Sequence, residues 1–475
     1  MLESAVSAAM LFFTYFLAPV SVATVAARRL GDRSDNNQFA IFLACLGVGP
    51  LAVAWCLELL LRIVPGLQNY SYIGSVGAMF LPVMVSAFRS RSVFLDMFQQ
   101  AKNQWRVPRA EILVASFFIF GAIWNFSYAF YLSLQSYYTG GDALEYGRMA
   151  QLIYEHKSAG IYPFFGDNGI PEYFASAHPM AYHLLIVWSF LINGSHEFFG
   201  YARLINPVLG LCTAALLWGA FAKKRIIYGA LAAFFLSMSP NYMDLIWNKH
   251  IDIIRTYGFA LAVFGTCLFA ERLTRKNAVL FGAGLGTSLY THALGILTPL
   301  VALAVLAVLT RPRLILSNWR AIALAFLIAA VFGGGQYSRN TMKFGTPVSN
   351  TTPVWELDSV RYAESVTVLR RIQTTEEKVK NGLFGAFTKP DRYSYIFWML
   401  PVGLLLHLFR RIEDCWTKSC LLACGAFFGI MLLSMLNGSI TLIMNGRYIL
   451  GLQPLAASVA AFCLGRYYES RPVIG

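Results

Sequence analysis

The stretch Thr139-Gly140-Gly141-Asp142-Ala143-Leu144-Glu145-Tyr146, running on to Ala177-His178-Pro179-Met180-Ala181-Tyr182-His183, is polar, aromatic and dense in ionisable groups, with long apolar segments on either side. Charged groups held between membrane helices are expensive, and they mark sites of chemistry or transport. Connecting segments carry function because a rigid scaffold positions them. Residues 139–183 therefore read as an active-site loop, and the remaining chain as its membrane scaffold.

Composition supports that scaffold. Of 475 residues, 57% are hydrophobic and only 13% charged, with a mean hydropathy of +0.55. A soluble domain of this length is not so apolar, so the expected fold is an all-α polytopic membrane protein. The formal charge of +14 sits mostly in short loops, where the positive-inside rule places it on the cytoplasmic face. With no separate basic domain, nucleic acid is not a partner. The first apolar segment, residues 5–26, follows Glu3 and precedes Arg28, Arg29 and Arg33. That charge order is the reverse of a secretory signal's, and it implies insertion with the N-terminus outside. All eight cysteines (Cys45, Cys56, Cys212, Cys267, Cys415, Cys420, Cys424 and Cys463) fall in proposed spans or on the cytoplasmic side. This argues against a disulfide framework and against a cysteine-based metal site. Cys420 and Cys424 share a helix face and read as packing residues.

The basic loop containing Arg89, Arg91, Lys102, Arg106 and Arg109 belongs inside, so the span at 110–133 delivers the Asp142 loop to the outside. Lys223-Lys224-Arg225 marks the next inner turn. One full span at 203–221 satisfies it only if the short apolar stretch 180–193 lies at, or dips into, the outer interface. The alternation then runs to about thirteen spans, N-terminus out and C-terminus in. The chain divides into an N-terminal three-span module (1–109), a catalytic transmembrane module (110–334) with external loop 134–202, an external loop (335–392) that is partly amphipathic helix, and a C-terminal three-span module (393–475). Loop 335–392 carries Arg361, Arg370, Arg371, Lys378 and Lys380 among Glu356, Asp358, Glu364, Glu376 and Glu377, a pattern of solvated helix faces. No inverted repeat of the secondary-transporter kind and no Gly-rich phosphate loop stands out.

Several constellations at the outer ends could carry chemistry. Asp142 after two glycines, with Glu145 three residues on, suits a helix cap and capping box. It equally suits a general base kept ionised by the helix N-terminus. Asn248-Lys249-His250-Ile251-Asp252, with Asp244 and Arg255 beside it, offers cations for a lipid phosphate and carboxylates for an acceptor; snorkelling interfacial charge is the plainer reading. His292 sits at a tight outer hairpin. Arg339 follows the 319–334 span, and Arg447 opens the last one, where an arginine calls for an anionic partner. His178, Tyr182 and His183 in the first loop are further contacts for acceptor or donor.

The order of these parts resembles the GT-C superfamily of integral-membrane glycosyltransferases, particularly the protein O-mannosyltransferase and lipid A aminoarabinose transferase branch. The resemblance covers residues 110–465. It rests on the early Asp142, on His178-Pro179-x-x-Tyr182, on Ser239-Pro240, on Arg339-Asn340-x-x-x-Phe344-Gly345-x-Pro347, and on Arg447-Tyr448 followed by Pro454. It implies a GT-C-like fold, a polyprenyl-phosphate-linked sugar donor, and inverting transfer to a glycan, glycolipid or protein acceptor hydroxyl at the outer face of a multi-pass bacterial inner membrane. Asp142 then takes the catalytic role, and Arg339 and Arg447 contact the donor phosphate; the residues themselves add Glu145 beside Asp142, and Lys249, His250, Arg255 and His292 as further candidates for that phosphate. Tyr182, His178, His183, Asp244 and Asp252 contact acceptor or donor. Two departures stand out: Ala143 follows Asp142 where the family often has a second acidic residue, and His292 stands where a lysine is common.

A lipid-phosphate donor carries its own leaving group, so no cofactor is required. With no tight carboxylate cluster in the sequence, a metal is not favoured. Two other readings remain. A polysaccharide polymerase or ligase would centre on loop 335–392 and its arginines. A lipid-linked-saccharide flippase would distribute charge inside the spans. Ser195→Cys is expected to react with a membrane-impermeant thiol reagent added from outside; labelling only from the cytoplasmic side would overturn this topology.

Overall fold

In lipid, helices satisfy every backbone N–H and C=O within a single segment, and every described element of this chain is helical. The computed structural model describes residues 2–31, 37–104, 106–136, 141–160, 178–197, 199–344, 347, 395–408, 412–436, 449 and 451–470. The N-terminal rod is α1 (Leu2–Phe12), a π-turn and α2 (Ala18–Leu30), followed by α3 (Gln38–Cys45), α4 (Val48–Ile63), α5 (Asn69–Phe88) and α6 (Arg91–Gln104). Next come α7 (Arg109–Gln135), α8 (Gly141–His156), α9 (Ala181–Asn193), α10 (Ile205–Ala220), α11 (Ile226–Ser237), α12 (Pro240–Trp247), α13 (Asp252–Glu271) and α14 (Arg275–Thr291). The rest are α15 (Thr298–Leu309), α16 (Pro312–Ser317), α17 (Trp319–Gly333), α18 (Gly335–Phe344), α19 (Met399–Leu408), α20 (Cys415–Leu436) and α21 (Gln453–Ser470).

The protein is an integral membrane protein by helix length and apolarity. Among the described residues, six helices can cross a bilayer: Ser4–Leu30, Asn69–Phe88, Arg109–Gln135, Tyr201–Ala220, Asp252–Glu271 and Cys415–Leu433. Counting three bent pairs as one span each gives nine. The pairs bend by 50° between α3 and α4, by 66° between α11 and α12, and by 74° between α17 and α18. The last two bends have identifiable causes. Pro240 opens α12, where the missing N–H is harmless but a continuing helix is not possible; Gly333-Gly334-Gly335 separates α17 from α18.

Among the described residues these six to nine do not reach the expected thirteen. Of the thirteen, the segments expected at 293–309 and 393–409 form helices of fewer than 18 residues, α14 has 17, and the start of the last span, at 445–465, lies largely outside the described residues. A straight span needs about 20.

α13 is the axis of the bundle. In its most apolar 18-residue window 94% of residues are buried, against 22% for α5 and α7. α10, α14, α15 and α20 pack around it. α7 lies at the edge and leaves Phe117, Phe120, Trp124 and Tyr128 exposed. Helices of residues 1–109 pack into the remainder, α3 on α10 and α4 on α9. α9, the stretch expected at the outer interface, is enclosed by protein: every residue from Ala181 to Ile192 is buried, with α4, α5 and α8 against it.

α14 and α17 meet at backbone distance. A Cβ built on Gly282 would lie 2.4 Å from the Ala325 carbonyl oxygen, and one on Gly286 would lie 3.2 Å from the Ala329 Cα. Two small residues four apart on each helix face one another, the arrangement that lets membrane helices approach closely. Gly282→Leu is expected to lower the thermal midpoint in detergent by several degrees, since overpacking costs about 1–3 kcal/mol. Gly74→Ala, with nothing within 4 Å of its Cβ position, should leave it unchanged; equal midpoints for the two variants would show that this contact is not tight.

Candidate active site

Asp252 is the first residue of α13, and its carboxylate benefits from the positive end of the helix. Arg255 lies one turn further on, the spacing at which helix side chains meet. Arg255 Nη2 is 3.0 Å from Asp252 Oδ1, with side chains 5% and 1% exposed. Two charges removed from solvent are tolerated only as a pair with good geometry. The C-terminal segment closes over them: a Cβ on Gly451 would stand 3.6 Å from Arg255 Nε. Arg255 also borders a narrow cleft with Ser288, Thr298 and Gly451.

His292 caps the end of α14 in an extended conformation. Its Nδ1 accepts the Leu294 N–H at 3.0 Å, which leaves Nε2 as the protonated nitrogen of the neutral ring. Nε2 stands 3.9 Å from Asp252 Oδ1, beyond direct hydrogen bonding but close enough for a strong charge interaction once the ring is protonated. Tyr337, from α18, donates to the His292 carbonyl at 2.9 Å and so ties the bend after α17 to this hairpin. The His178 ring lies 4.3 Å from that of His292. On its other side Tyr146 of α8 meets His178, Tyr182 and His183 edge-on, with ring centroids 6.2, 5.6 and 5.7 Å apart.

The neighbouring turn between α12 and α13 is held by side chains that bind carbonyls. Lys249 takes a left-handed conformation, φ 60°. Its ammonium donates to the carbonyls of Ser136 (3.0 Å) and Trp247 (3.1 Å) and to the Ser136 hydroxyl. Lys249 thereby caps the C-terminal end of α7, where unsatisfied carbonyls gather. Tyr182 donates to the Lys249 carbonyl at 2.8 Å. Asn206 donates to the carbonyls of Leu245 (3.1 Å) and His250 (2.9 Å). Burial, with the nearby Arg203 guanidinium adding to it, pulls the Lys249 ammonium down to about 8.

The structure thus brings Asp252, Arg255, His292 and His178 together, with Tyr182 and His183 reached through Tyr146. Lys249 and the His250 backbone belong to the framework beside them. Asp244 lies on the other side of α12: Asn248 donates to its carboxylate at 2.8 Å, and it lines a separate cavity of about 460 Å³ with Asn125, Tyr128, Ser237, Asn241 and Trp247. Arg339 donates to the Gly160 carbonyl at 2.7 Å. Glu145 is half-buried on α8. Asp142 is the second residue of α8, but its side chain lies outside the described residues. So do Arg447 and Arg361, Arg370 and Arg371 of the late loop.

Sequence reasoning gave Tyr146 and Tyr337 no role of their own. Tyr146 had a signal, for it stands four residues after Asp142 and shares its helix face. Tyr337 had none, because its role depends on the bend between α17 and α18.

A dry arginine sharing a carboxylate, beside two adjoining imidazoles tilted by 47° and a phenol, can hold an anion and handle a proton. The chain matches no protein-family model and no curated protein.

Asp252→Asn is expected to destabilise the fold by about 3–5 kcal/mol, because it removes the carboxylate paired with the buried Arg255 guanidinium. Adding Arg255→Met should recover most of that loss in detergent unfolding; purely additive losses would mean that the pair is not coupled. Lys249 binds fewer protons folded than unfolded between about pH 8 and its ordinary value of 10.5. Stability therefore rises with pH across that window. The midpoint of the wild type minus that of Lys249→Met should increase from pH 8 to pH 10; a flat difference would put the lysine in open solvent.

Proposed function

We propose that this protein is a GT-C-type inverting glycosyltransferase that moves a sugar from a polyprenyl-phosphate-linked donor to an acceptor hydroxyl at the outer face of a bacterial inner membrane. The observation that carries the reading is the continuous set of side chains from α8 through His178 and His292 to Asp252 and Arg255. It links the helix bearing Asp142 and Glu145 to a buried guanidinium within one water-excluded end of the bundle. The order of motifs from Asp142 to Pro454 supports the same reading.

In this mechanism Asp142 takes the proton from the acceptor hydroxyl as the oxygen attacks the anomeric carbon from the face opposite the phosphate. The phosphate departs with the bonding electrons, and configuration inverts. Arg255, with Arg339 and Arg447 from the later segments, stabilises the charge that grows on the leaving phosphate. In a site of low dielectric such preset charges act strongly. His292, standing where the family commonly has a lysine, adds positive charge only when protonated. Helix α8 and the aromatic group around Tyr146 hold the acceptor in line. The shorter apolar helices complete the thirteen-span GT-C topology by sharing the membrane thickness with the segments that flank them, so that the loop before α8 opens outward.

Transfer of radiolabelled sugar from polyprenyl-phosphate donors in membranes tests the reading. Asp142→Asn keeps shape and removes the base, and transfer should fall by about 10²- to 10⁴-fold with the protein still monodisperse. Unchanged transfer would move catalysis to loop 335–392 and a polymerase or ligase reading. No transfer by the wild type from any such donor would favour a lipid-linked-saccharide transporter.

A further inference from the structure

The far end of α13 carries a second group of reactive side chains, at the face where Lys223 meets Glu271 and Arg225 meets Glu111. Cys267 and Glu271 are four residues apart on α13 and so share one face of that helix. Cys415 opens α20 and brings its sulfur to within 3.7 Å of the Cys267 carbonyl oxygen. The two sulfurs and a carboxylate oxygen of Glu271 all lie within 4.8 Å of one another. Cys267 is buried, Cys415 half-buried and Glu271 exposed, so the group has a dry wall and an open side.

We propose that Cys267, Cys415 and Glu271 form a binding site for a soft divalent cation of the zinc type, which staples α13 to α20. Neither helix supplies the set alone, which is why the cysteine spacing along the chain gives no metal-binding pattern. Two sulfurs and one oxygen select zinc-like ions over calcium or magnesium, which take oxygen ligands. Zinc holds sulfur at about 2.3 Å and carboxylate oxygen at about 2.0–2.2 Å. A tetrahedral set with those lengths places its ligand atoms about 3.5–3.8 Å apart. The present spacing reaches that by side-chain adjustment of about 1 Å, with no helix displaced.

Charge balance favours the same ion. Two thiolates and a carboxylate bring three negative charges, and the cation neutralises two. Lys223 Nζ, 3.5 Å from Glu271, offsets the third. The fourth position stays open to water on the exposed side. Among the described residues no other three His, Cys, Asp or Glu side chains meet in this way. Cys420 and Cys424, although on one helix face, are sealed in the core. The site lies about 22–28 Å along α13 from Asp252, so its role is to anchor the central helix and not to meet the anion-binding end.

The test uses the full chain, purified in detergent under reducing conditions, stripped with a chelator and then titrated with zinc against a chromophoric competitor. One zinc per chain is expected. Cys267→Ser and Cys415→Ser should each weaken binding by about 100-fold, the upper end of what even outer-sphere partners command. Glu271→Gln should weaken it by about tenfold, and Cys420→Ser should leave it unchanged. Cobalt gives a second readout on the unaltered protein: a thiolate-to-cobalt charge-transfer band should appear and be displaced by zinc. No stoichiometric uptake, or no such band, overturns the proposal even if a variant misfolds. Binding that survives the double change Cys267→Ser/Cys415→Ser overturns it too, as does a Cys267–Cys415 disulfide whose reduction restores no metal uptake.

Discussion

The Asp252–Arg255 pair is the constraint to which much of the architecture at this end of the bundle answers. A guanidinium 5% exposed and a carboxylate 1% exposed can lie this deep in an apolar bundle only because each neutralises the other and the surrounding backbone is satisfied. The residues packed against that end do the second task. Lys249 binds the carbonyls at the end of α7, Asn206 those of the α12–α13 turn, and Tyr337 that of His292. Each closes a carbonyl that lipid would leave bare. Among the described residues this end is polar in its side chains, and these carbonyls are closed, the condition under which a buried charge is available to a ligand.

The approach of His292 to Asp252 follows from packing far from either residue. α13 and α14 are neighbours, and α14 is drawn to α17 through Gly282, Gly286, Ala325 and Ala329. Small residues on both helices permit that approach. The bend after α17 then turns α18 across the end of the bundle, where Tyr337 reaches the hairpin. A glycine in the middle of α14 thus bears on the geometry of a histidine at its end. α13 itself joins two unlike ends: an ion pair with imidazoles at one, and thiols with a carboxylate at the other, separated by residues that are almost wholly buried and apolar.

Much of this was legible in the residues alone, for reasons that are local. Apolar runs interrupted by basic turns specify membrane helices because lipid rewards little else. That logic located α5, α7, α10, α13 and α20 within a few residues. It also marked Asp252, Arg255, His178 and His292 as unusual, since charge beside apolar sequence stands out wherever it occurs. It named thirteen spans where the described residues show six to nine by length and composition, because hydropathy registers an apolar stretch without registering its length as a helix or its bend. α9 shows a different limit: a thirteen-residue, mostly apolar helix is walled in by neighbours that no local rule could supply.

What tertiary structure alone decided is which of the unusual residues meet. Lys249 and Arg255 are six residues apart and read alike as phosphate ligands, yet a left-handed turn sends the lysine to the end of α7 while the helix aims the arginine at Asp252. Cys267 and Cys415 are 148 positions apart and become neighbours only when α20 docks on α13. Sequence determined the class of molecule, its helices and the list of costly polar groups, because those depend on transfer free energies of short segments. Contacts between segments depend on packing across the whole bundle, and only the folded chain sets them.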